Sequence, residues 1–283
     1  MSQLDAGGAS VAALGRLTAV IESLGPVVVA FSGGADSALL AKVATDVLGT
    51  DLVLCATAVS PSLPDAEVEA CADLARRWGL RWQAVVTDEM ARPAYVENGP
   101  DRCYHCKAEL LDVLVGLAPA LDVGATVVLG VNLDDLDDHR PGQRAAAERG
   151  ARFPLVEAGL TKVEIRAVSR DLGLDTWDKP AAACLASRIP HGTPVTLGAL
   201  ASVQRAEAAL HALGLRQVRV RHHGDVARIE VESGEADALW GLRAAASAAV
   251  ARAGYRYVAV DLDGYRQGSM NPPTTIGAPP CCA

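Results

Sequence analysis

Short runs of consecutive apolar residues alternate along the chain with longer stretches whose apolar residues recur every three or four positions. The runs Val27-Val28-Val29-Ala30-Phe31, 51–58, 82–87 and 126–131 are short and partly β-branched, and they read as buried strands. Between them, Val11, Leu14, Leu17, Val20, Ile21 and Leu24 are spaced for one face of a helix over 9–24, ended by Gly25-Pro26. Further helices are expected to about Leu48, stopped by Gly49; over 65–78, with acids in the first turn; and over 107–117, with Leu110, Leu111, Leu114 and Leu117 inward. Two more are expected over 143–149 and 162–172. Strand–helix alternation of this kind predicts an α/β fold, a doubly wound parallel sheet with right-handed crossovers. Ligands of such sheets sit beyond the carboxyl ends of the strands.

The pattern changes after residue 176. Residues 177–195 read as a loop, 197–213 as a helix, and 217–222 and 226–231 as a hairpin turning at Gly224-Asp225. A helix over 235–253 and a strand over 257–262 complete a smaller α+β domain. The expected organisation is a first domain over 1–176, a loop or linker over 177–195, a small domain over 196–268 and a mobile Pro-rich tail over 269–283. No internal repeat is visible.

The first strand ends in Phe31-Ser32-Gly33-Gly34-Ala35-Asp36-Ser37, after which an apolar helix pattern resumes. Glycines allow a tight turn and close approach of backbone to a ligand. The amides and dipole of the helix start then favour an anion, and the Ser32 and Ser37 hydroxyls add donors. A glycine pair after a strand is also a common plain turn. The patterns GxxxxGK[ST] and GxGxxG are both absent. The stretch SGGxDS after a Val run resembles the PP-loop of the ATP pyrophosphatase superfamily, which includes NAD, asparagine and GMP synthetases and tRNA-thiolating enzymes. That resemblance implies cleavage of ATP between its α and β phosphates, adenylation of a substrate oxygen and release of pyrophosphate. Ser32, Gly33, Gly34, Asp36 and Ser37 would bind the nucleotide, with Asp36 also assisting at Mg2+.

Composition narrows the function. The net charge is −8 and half of the residues are apolar, which supports large cores and argues against a nucleic-acid partner. No apolar run reaches the length of a membrane span, and no signal peptide is seen, so a cytoplasmic location is expected. The seven cysteines, an odd number at uneven spacing, read as reduced thiols, metal ligands or catalytic groups. Cys55 and Cys71 lie in core patterns, and Cys281-Cys282 in the tail. Cys103 and Cys106 form a CxxC at a predicted helix start, where a thiol's pKa is depressed. A zinc half-site, a redox pair and two ordinary buried cysteines all fit that motif. Cys184 lies in the 177–195 loop, where Lys179 and Arg188 would favour its thiolate; a small buried hydrophobe is the alternative. Arg219 and Arg221 alternate with valines, which fits either a phosphate-binding fork or a solvated strand face. Asp134 and Asp135 suit assistance to a ligand or a helix cap. His222 and His223, adjacent on a strand, point to opposite faces and do not chelate together.

The segment Pro180-Ala-Ala-Ala-Cys184-Leu185-Ala186-Ser187-Arg188-Ile189-Pro190-His191-Gly192 is similar to the CLxSR segment of the LarE family. Gly130-Val131-Asn132-Leu133-Asp134-Asp135 with His139-Arg140-Pro141-Gly142, and Arg219-Val220-Arg221-His222-His223-Gly224, resemble two further segments of that family. LarE proteins are ATP-dependent sulfur transferases in the biosynthesis of the nickel-pincer nucleotide cofactor of lactate racemase. The resemblance implies adenylation of a carboxylate on a pyridinium dicarboxylate mononucleotide, followed by attack of sulfur to give a thiocarboxylate. It places Gly130 and Asn132 at the nucleotide and Ser187, Arg188, Glu207, Arg219 and Arg221 at the substrate. Cys184 would be the catalytic cysteine. In one form of the family that cysteine surrenders its own sulfur. In another, a CxxC plus the loop cysteine carries a [4Fe-4S] cluster whose open iron binds a sulfide. This chain has Cys103, Cys106 and Cys184, the set of the cluster form. Homo-oligomers are expected from the same resemblance. A tRNA-thiolating enzyme, an ammonia-using amide synthetase and a non-catalytic nucleotide sensor are the competing classes. The acidic balance opposes the first, and the second leaves the CxxC and Cys184 without a role.

Overall fold

The computed structural model describes residues 3–121, 124–136, 141–180 and 183–266. His139 and Arg140, the tail and its Cys281-Cys282 lie outside the described residues. The chain divides into two compact units, one running to Tyr95 and resuming over Asp101–Ala183, the other comprising Val96–Pro100 and the chain from Cys184.

The first unit opens with α1 (Gln3–Leu24), followed by β1 (Val27–Ala30), α2 (Ala35–Leu48), β2 (Val53–Val59), α3 (Asp65–Trp78) and β3 (Trp82–Val86). After the short α4 (Pro93–Val96) come α5 (Arg102–Leu117), β4 (Thr126–Leu129), α6 (Pro141–Glu148), α7 (Pro154–Glu157) and α8 (Lys162–Asp171). The four strands form a parallel sheet in the order β3-β2-β1-β4. The order reverses between β1 and β4, so the loops following these two strands flank the crevice where α/β sheets bind ligands. Side chains alternate between two cores, as a pleated strand requires. Val27, Val29, Val53, Cys55 and Val128 pack with α1, α2, α3 and α8. Val28, Leu54, Ala56, Val127 and Leu129 pack with Leu111 and Leu114 of α5 and Ala146 of α6. Burial on both faces explains why these strands read as continuous apolar runs.

In the second unit α9 (Leu197–Ala212) is followed by β5 (Val218–His223), β6 (Val226–Val231), α10 (Ala236–Gly241), α11 (Arg243–Arg252) and β7 (Tyr257–Val260). The sheet order is β5-β6-β7, antiparallel between β5 and β6 and parallel between β6 and β7. One face packs Val218, Val220, Ala227, Ile229 and Val231 against Ala206, Leu210, Ala246 and Val250. The single helix expected over 235–253 is broken at Leu242, next to Gly241, a weak point in any helix. Val96–Pro100 joins this unit through Asn98, whose fully buried amide donates to the carbonyls of Pro190 (2.8 Å) and Thr193 (2.7 Å). Asn98 also has a positive φ of 58°, a conformation Asn tolerates better than most residues. Among the described residues no helix is long and apolar enough to cross a membrane.

Candidate functional site

The glycine turn after β1 is held in shape by its own polar groups. Gly33 has a φ of +66°, and a Cβ there would meet Cys71 Sγ at 2.9 Å. Both facts demand glycine. Gly34 is the N-cap of α2 and offers no side-chain cap, so the first amides of α2 stay open. The Ser37 hydroxyl accepts from Ser32 N (3.2 Å), donates to Gly34 O (3.2 Å) and lies 3.0 Å from Ser32 Oγ. Thr57 of β2 buttresses the turn by donating to Phe31 O (2.7 Å) while accepting from Trp82 Nε1 (2.9 Å).

The loop after β4 meets this turn. Gly130 lies so close that an added Cβ would fall 2.8 Å from Ser37 N. Asn132 Nδ2 donates to Asp36 Oδ1 (3.2 Å), and Lys162 Nζ donates to Asp36 Oδ2 (2.6 Å). Ser32, Gly33, Gly34, Asp36, Ser37, Gly130 and Asn132 are thus gathered at the carboxyl ends of β1 and β4. Asp134 and Asp135 serve as backbone caps: Asp134 Oδ2 accepts from Lys162 N (2.7 Å) and Asp135 Oδ2 from Asn132 N (3.2 Å). Lys179 pairs with Glu67 (2.8 Å), and its ammonium lies 3.8 Å from the Cβ position of Gly33. Sequence reasoning overlooked Lys162 and gave Lys179 a different neighbour, Cys184. The only local sign of Lys162 is its place after Thr161, in the Thr-x-x-Glu capping box that starts α8.

A second polar assembly belongs to the second unit. Arg188 closes a short helical turn over Leu185–Arg188 and is 2% exposed. Its guanidinium grips Glu207 of α9 through two 2.9 Å bonds and donates to Cys184 O and Ser187 Oγ, each at 3.0 Å. Glu207 Oε1 also accepts from Val220 N (2.9 Å), which joins α9 to β5. Arg221 donates twice to Glu230 Oε2 (2.9 and 2.6 Å) and once to Ser187 O (3.2 Å). Arg228 bridges Glu230 (3.2 Å) to Asp261. Arg219 donates to Val218 O and stands over the Tyr265 ring, 5.4 Å from its centroid. Val218–Arg221 are all buried, so the reading of Arg219 and Arg221 as a solvated strand face is wrong. Ion pairing with Glu230 explains how Arg221 is tolerated there. Burial, followed by the neighbouring Arg188 charge, lowers the pKa of Arg219. Ser187, Arg188, Glu207, Arg219 and Arg221 therefore form one cluster, in which four arginines, counting Arg228, meet three carboxylates.

The cysteines sort by exposure. Cys55 and Cys71 are buried; burial pushes the Cys55 thiol up to about 12 and raises that of Cys71. Cys103 is exposed, while Cys106 and Cys184 are partly exposed. Cys103 and Cys106 lie three residues apart at the start of α5, on one side of the helix. As donors, three accessible thiols suit iron. Among the described residues, however, no group of three or more His, Cys, Asp or Glu side chains is gathered for a metal ion.

No family model matches the chain. Three proteins with related sequences do. An uncharacterised protein of Synechocystis is 46% identical over 247 residues, spanning 86% of this chain and 91% of its own. The pyridinium-3,5-bisthiocarboxylic acid mononucleotide synthase of Lactiplantibacillus plantarum is 38% identical over 255 residues, spanning 90% of this chain and 92% of its own. An uncharacterised protein of Methanocaldococcus jannaschii is 26% identical over 206 residues, spanning 73% and 77%. Identity of that extent to the synthase means that the chain belongs to the LarE family.

Proposed function

We propose that the protein is an ATP-dependent sulfurtransferase that converts a carboxylate of a pyridinium dicarboxylate mononucleotide into a thiocarboxylate, as a step toward a nickel-pincer cofactor. The observation that carries this reading is the uncapped, glycine-built start of α2 beside Asp36 and Asn132, on a chain 38% identical to a synthase of the corresponding bisthiocarboxylic acid product.

ATP, as its magnesium salt, binds with its phosphates at the α2 amides and the Ser32 and Ser37 hydroxyls. A substrate carboxylate oxygen attacks the α phosphorus. The bond to the bridging oxygen breaks, and pyrophosphate leaves with the electron pair. The resulting acyl adenylate has AMP as a good leaving group. Arg188, Arg219 and Arg221 hold the substrate phosphate, because a guanidinium fork matches phosphate geometry. Glu207 is a positioning residue, since it fixes Arg188 through both carboxylate oxygens. In the sacrificial route the Cys184 thiolate attacks the acyl carbon and AMP departs, leaving a thioester; loss of the Cys184 α proton with cleavage of its Cβ–Sγ bond then releases the thiocarboxylate and leaves dehydroalanine. Cys184 is the catalytic thiol. In the cluster form of the family, which the set Cys103, Cys106 and Cys184 favours, these thiolates would instead hold a [4Fe-4S] cluster able to supply exchangeable sulfide as the nucleophile. The protein is further proposed to work in the cytoplasm as a homo-oligomer, without a nucleic-acid partner.

The test is the intact mass of the protein after one turnover with ATP and the dicarboxylate mononucleotide. Loss of the elements of H2S marks sacrifice of Cys184, whereas unchanged mass with repeated turnover marks sulfide delivery. Absence of pyrophosphate and AMP under both anaerobic and aerobic conditions refutes the activity. Anaerobic reconstitution of Cys106→Ser with undiminished iron and sulfide refutes the three-thiolate assignment.

A further inference from the structure

We infer that Tyr265 is a positioning residue for the substrate phosphate: the face of its ring holds the Arg219 guanidinium in place and so sets a preference for a phosphorylated substrate. This rests on the proposed binding of the mononucleotide phosphate at the arginine cluster. The chain after β7 is folded to deliver that ring. Asp261 N still donates to Ile229 O of β6 (2.9 Å), a turn follows, and Tyr265 N then donates to Val231 O (2.8 Å). The turn requires glycine at 264, where φ is +69° and a Cβ would fall 2.7 Å from Val231 O. Asp261 ties the turn to the cluster, since its Oδ1 accepts from Asp263 N (2.9 Å) while its Oδ2 pairs with Arg228. Tyr265 is thereby seated beside Val231, whose partner on β5 is Val218, the residue before Arg219. From there the ring centroid lies 5.4 Å from the Arg219 guanidinium carbon.

The three arginines assigned to the phosphate are held by different chemistry. Arg188 spends Nε and one terminal nitrogen on Glu207, and Arg221 spends the same pair on Glu230. Both are thus framed by carboxylates. Arg219, 7% exposed, is instead met by the Tyr265 ring and by Val218 O at 2.9 Å. Burial and the Arg188 charge lower its pKa, against the opposing influence of Glu207 and Tyr265. The surroundings of Arg219 therefore favour a further negative charge.

A carboxylate held against Arg219 would repel an arriving phosphate and compete for the same N–H donors. A ring face attracts the cation through its quadrupole, brings no net charge, and leaves the planar fork matched to a phosphate. It also orders a long side chain before the ligand arrives, which lowers the entropy lost on binding. Tyr265 acts through Arg219 in this scheme and touches no reacting atom.

The experiment uses the full chain and two probes, the dicarboxylate mononucleotide and the riboside that lacks its phosphate, titrated by calorimetry into the wild type and three variants. Tyr265→Leu and Tyr265→Met fill the space without a ring face, whereas Tyr265→Phe keeps it. Leu and Met should weaken the mononucleotide about tenfold and leave the riboside within about twofold, while Phe keeps the wild-type ratio of the two within about twofold. In turnover assays that follow pyrophosphate, the KM for the mononucleotide should rise about tenfold in the Leu and Met variants, with the KM for ATP within about twofold of wild type. Equal weakening of mononucleotide and riboside, unchanged binding in the Leu and Met variants, or a loss in Phe as large as in Leu overturns the inference and leaves Tyr265 a structural cover of the sheet. Failure of the wild type to bind the mononucleotide more tightly than the riboside overturns the reading beneath it instead.

Discussion

The glycine turn of the first unit is made chiefly of backbone, whereas the arginine cluster of the second is made of charged side chains that are mostly buried and paired with carboxylates. In the turn, Gly33, Gly34 and Gly130 leave space, and the working groups are amides, two hydroxyls and a carboxylate. In the cluster, Arg188, Arg221, Glu207 and Glu230 are each no more than 6% exposed and satisfy one another. The two assemblies therefore fail in different ways. The turn is sensitive to added atoms, because its geometry depends on missing side chains. The cluster is sensitive to lost charge, because each buried ion is tolerated only through its partner.

Removing one charge should have the largest effect. Glu207→Ala leaves the Arg188 guanidinium and the Val220 amide without their carboxylate, and should destabilise the second unit by about 3–5 kcal/mol. Urea unfolding followed by circular dichroism measures this; a loss below 1 kcal/mol would mean that water reaches Arg188, and the contrast with the turn would weaken.

Adding one carbon should come next. Gly130→Ala places a methyl against Ser37 N and should destabilise by about 1–3 kcal/mol, with ATP affinity falling alongside. A thermal melt and an ATP titration on the same sample check both effects. Normal ATP binding would show that the two loops tolerate separation.

Ser37→Ala removes the hydroxyl that links Ser32 N to Gly34 O. The expected loss is about 1 kcal/mol, with most of it recovered by Ser37→Thr if the site accommodates the methyl. Denaturant midpoints of the two variants decide.

The smallest effect is a pH dependence at the edge of the second core. Burial lowers the pKa of His222 below its ordinary 6.5, and its Nδ1 lies 3.1 Å from Tyr255 OH. Between that lowered value and 6.5 the unfolded chain takes up a proton that the native chain resists. Stability is therefore full above about 6.5 and declines as pH falls through the window. His222→Gln should flatten melting temperature against pH over that window; an unchanged slope would assign it to other groups.

Much of the first unit could be read from local sequence, because local rules govern it. The helix over 65–78 coincides with α3, since acids mark its start and Gly79, with a φ of +65°, ends it. The glycine turn was legible because its chemistry lies within six consecutive residues. Lys162 was not, because its partner Asp36 is 126 residues away and no local pattern encodes the pairing. The burial of Arg219 and Arg221 was hidden for the same reason: alternation on a strand reports two faces, but only Glu230 and Glu207 show that the polar face is also closed. The inclusion of Val96–Pro100 in the second unit depends on Asn98 reaching Pro190 and Thr193, again a distant pairing.

The near-contact of Gly130 with Ser37 also bears on motion. With less than a methyl group of clearance between them, the β1 and β4 loops have no slack through which to close on a nucleotide. On the proposed ATP reading the backbone of this turn acts as a mould, and adjustment would fall to the long side chains beside it, Lys162 on Asp36 and Lys179 on Glu67. Nucleotide binding at these two loops would then need no hinge between them.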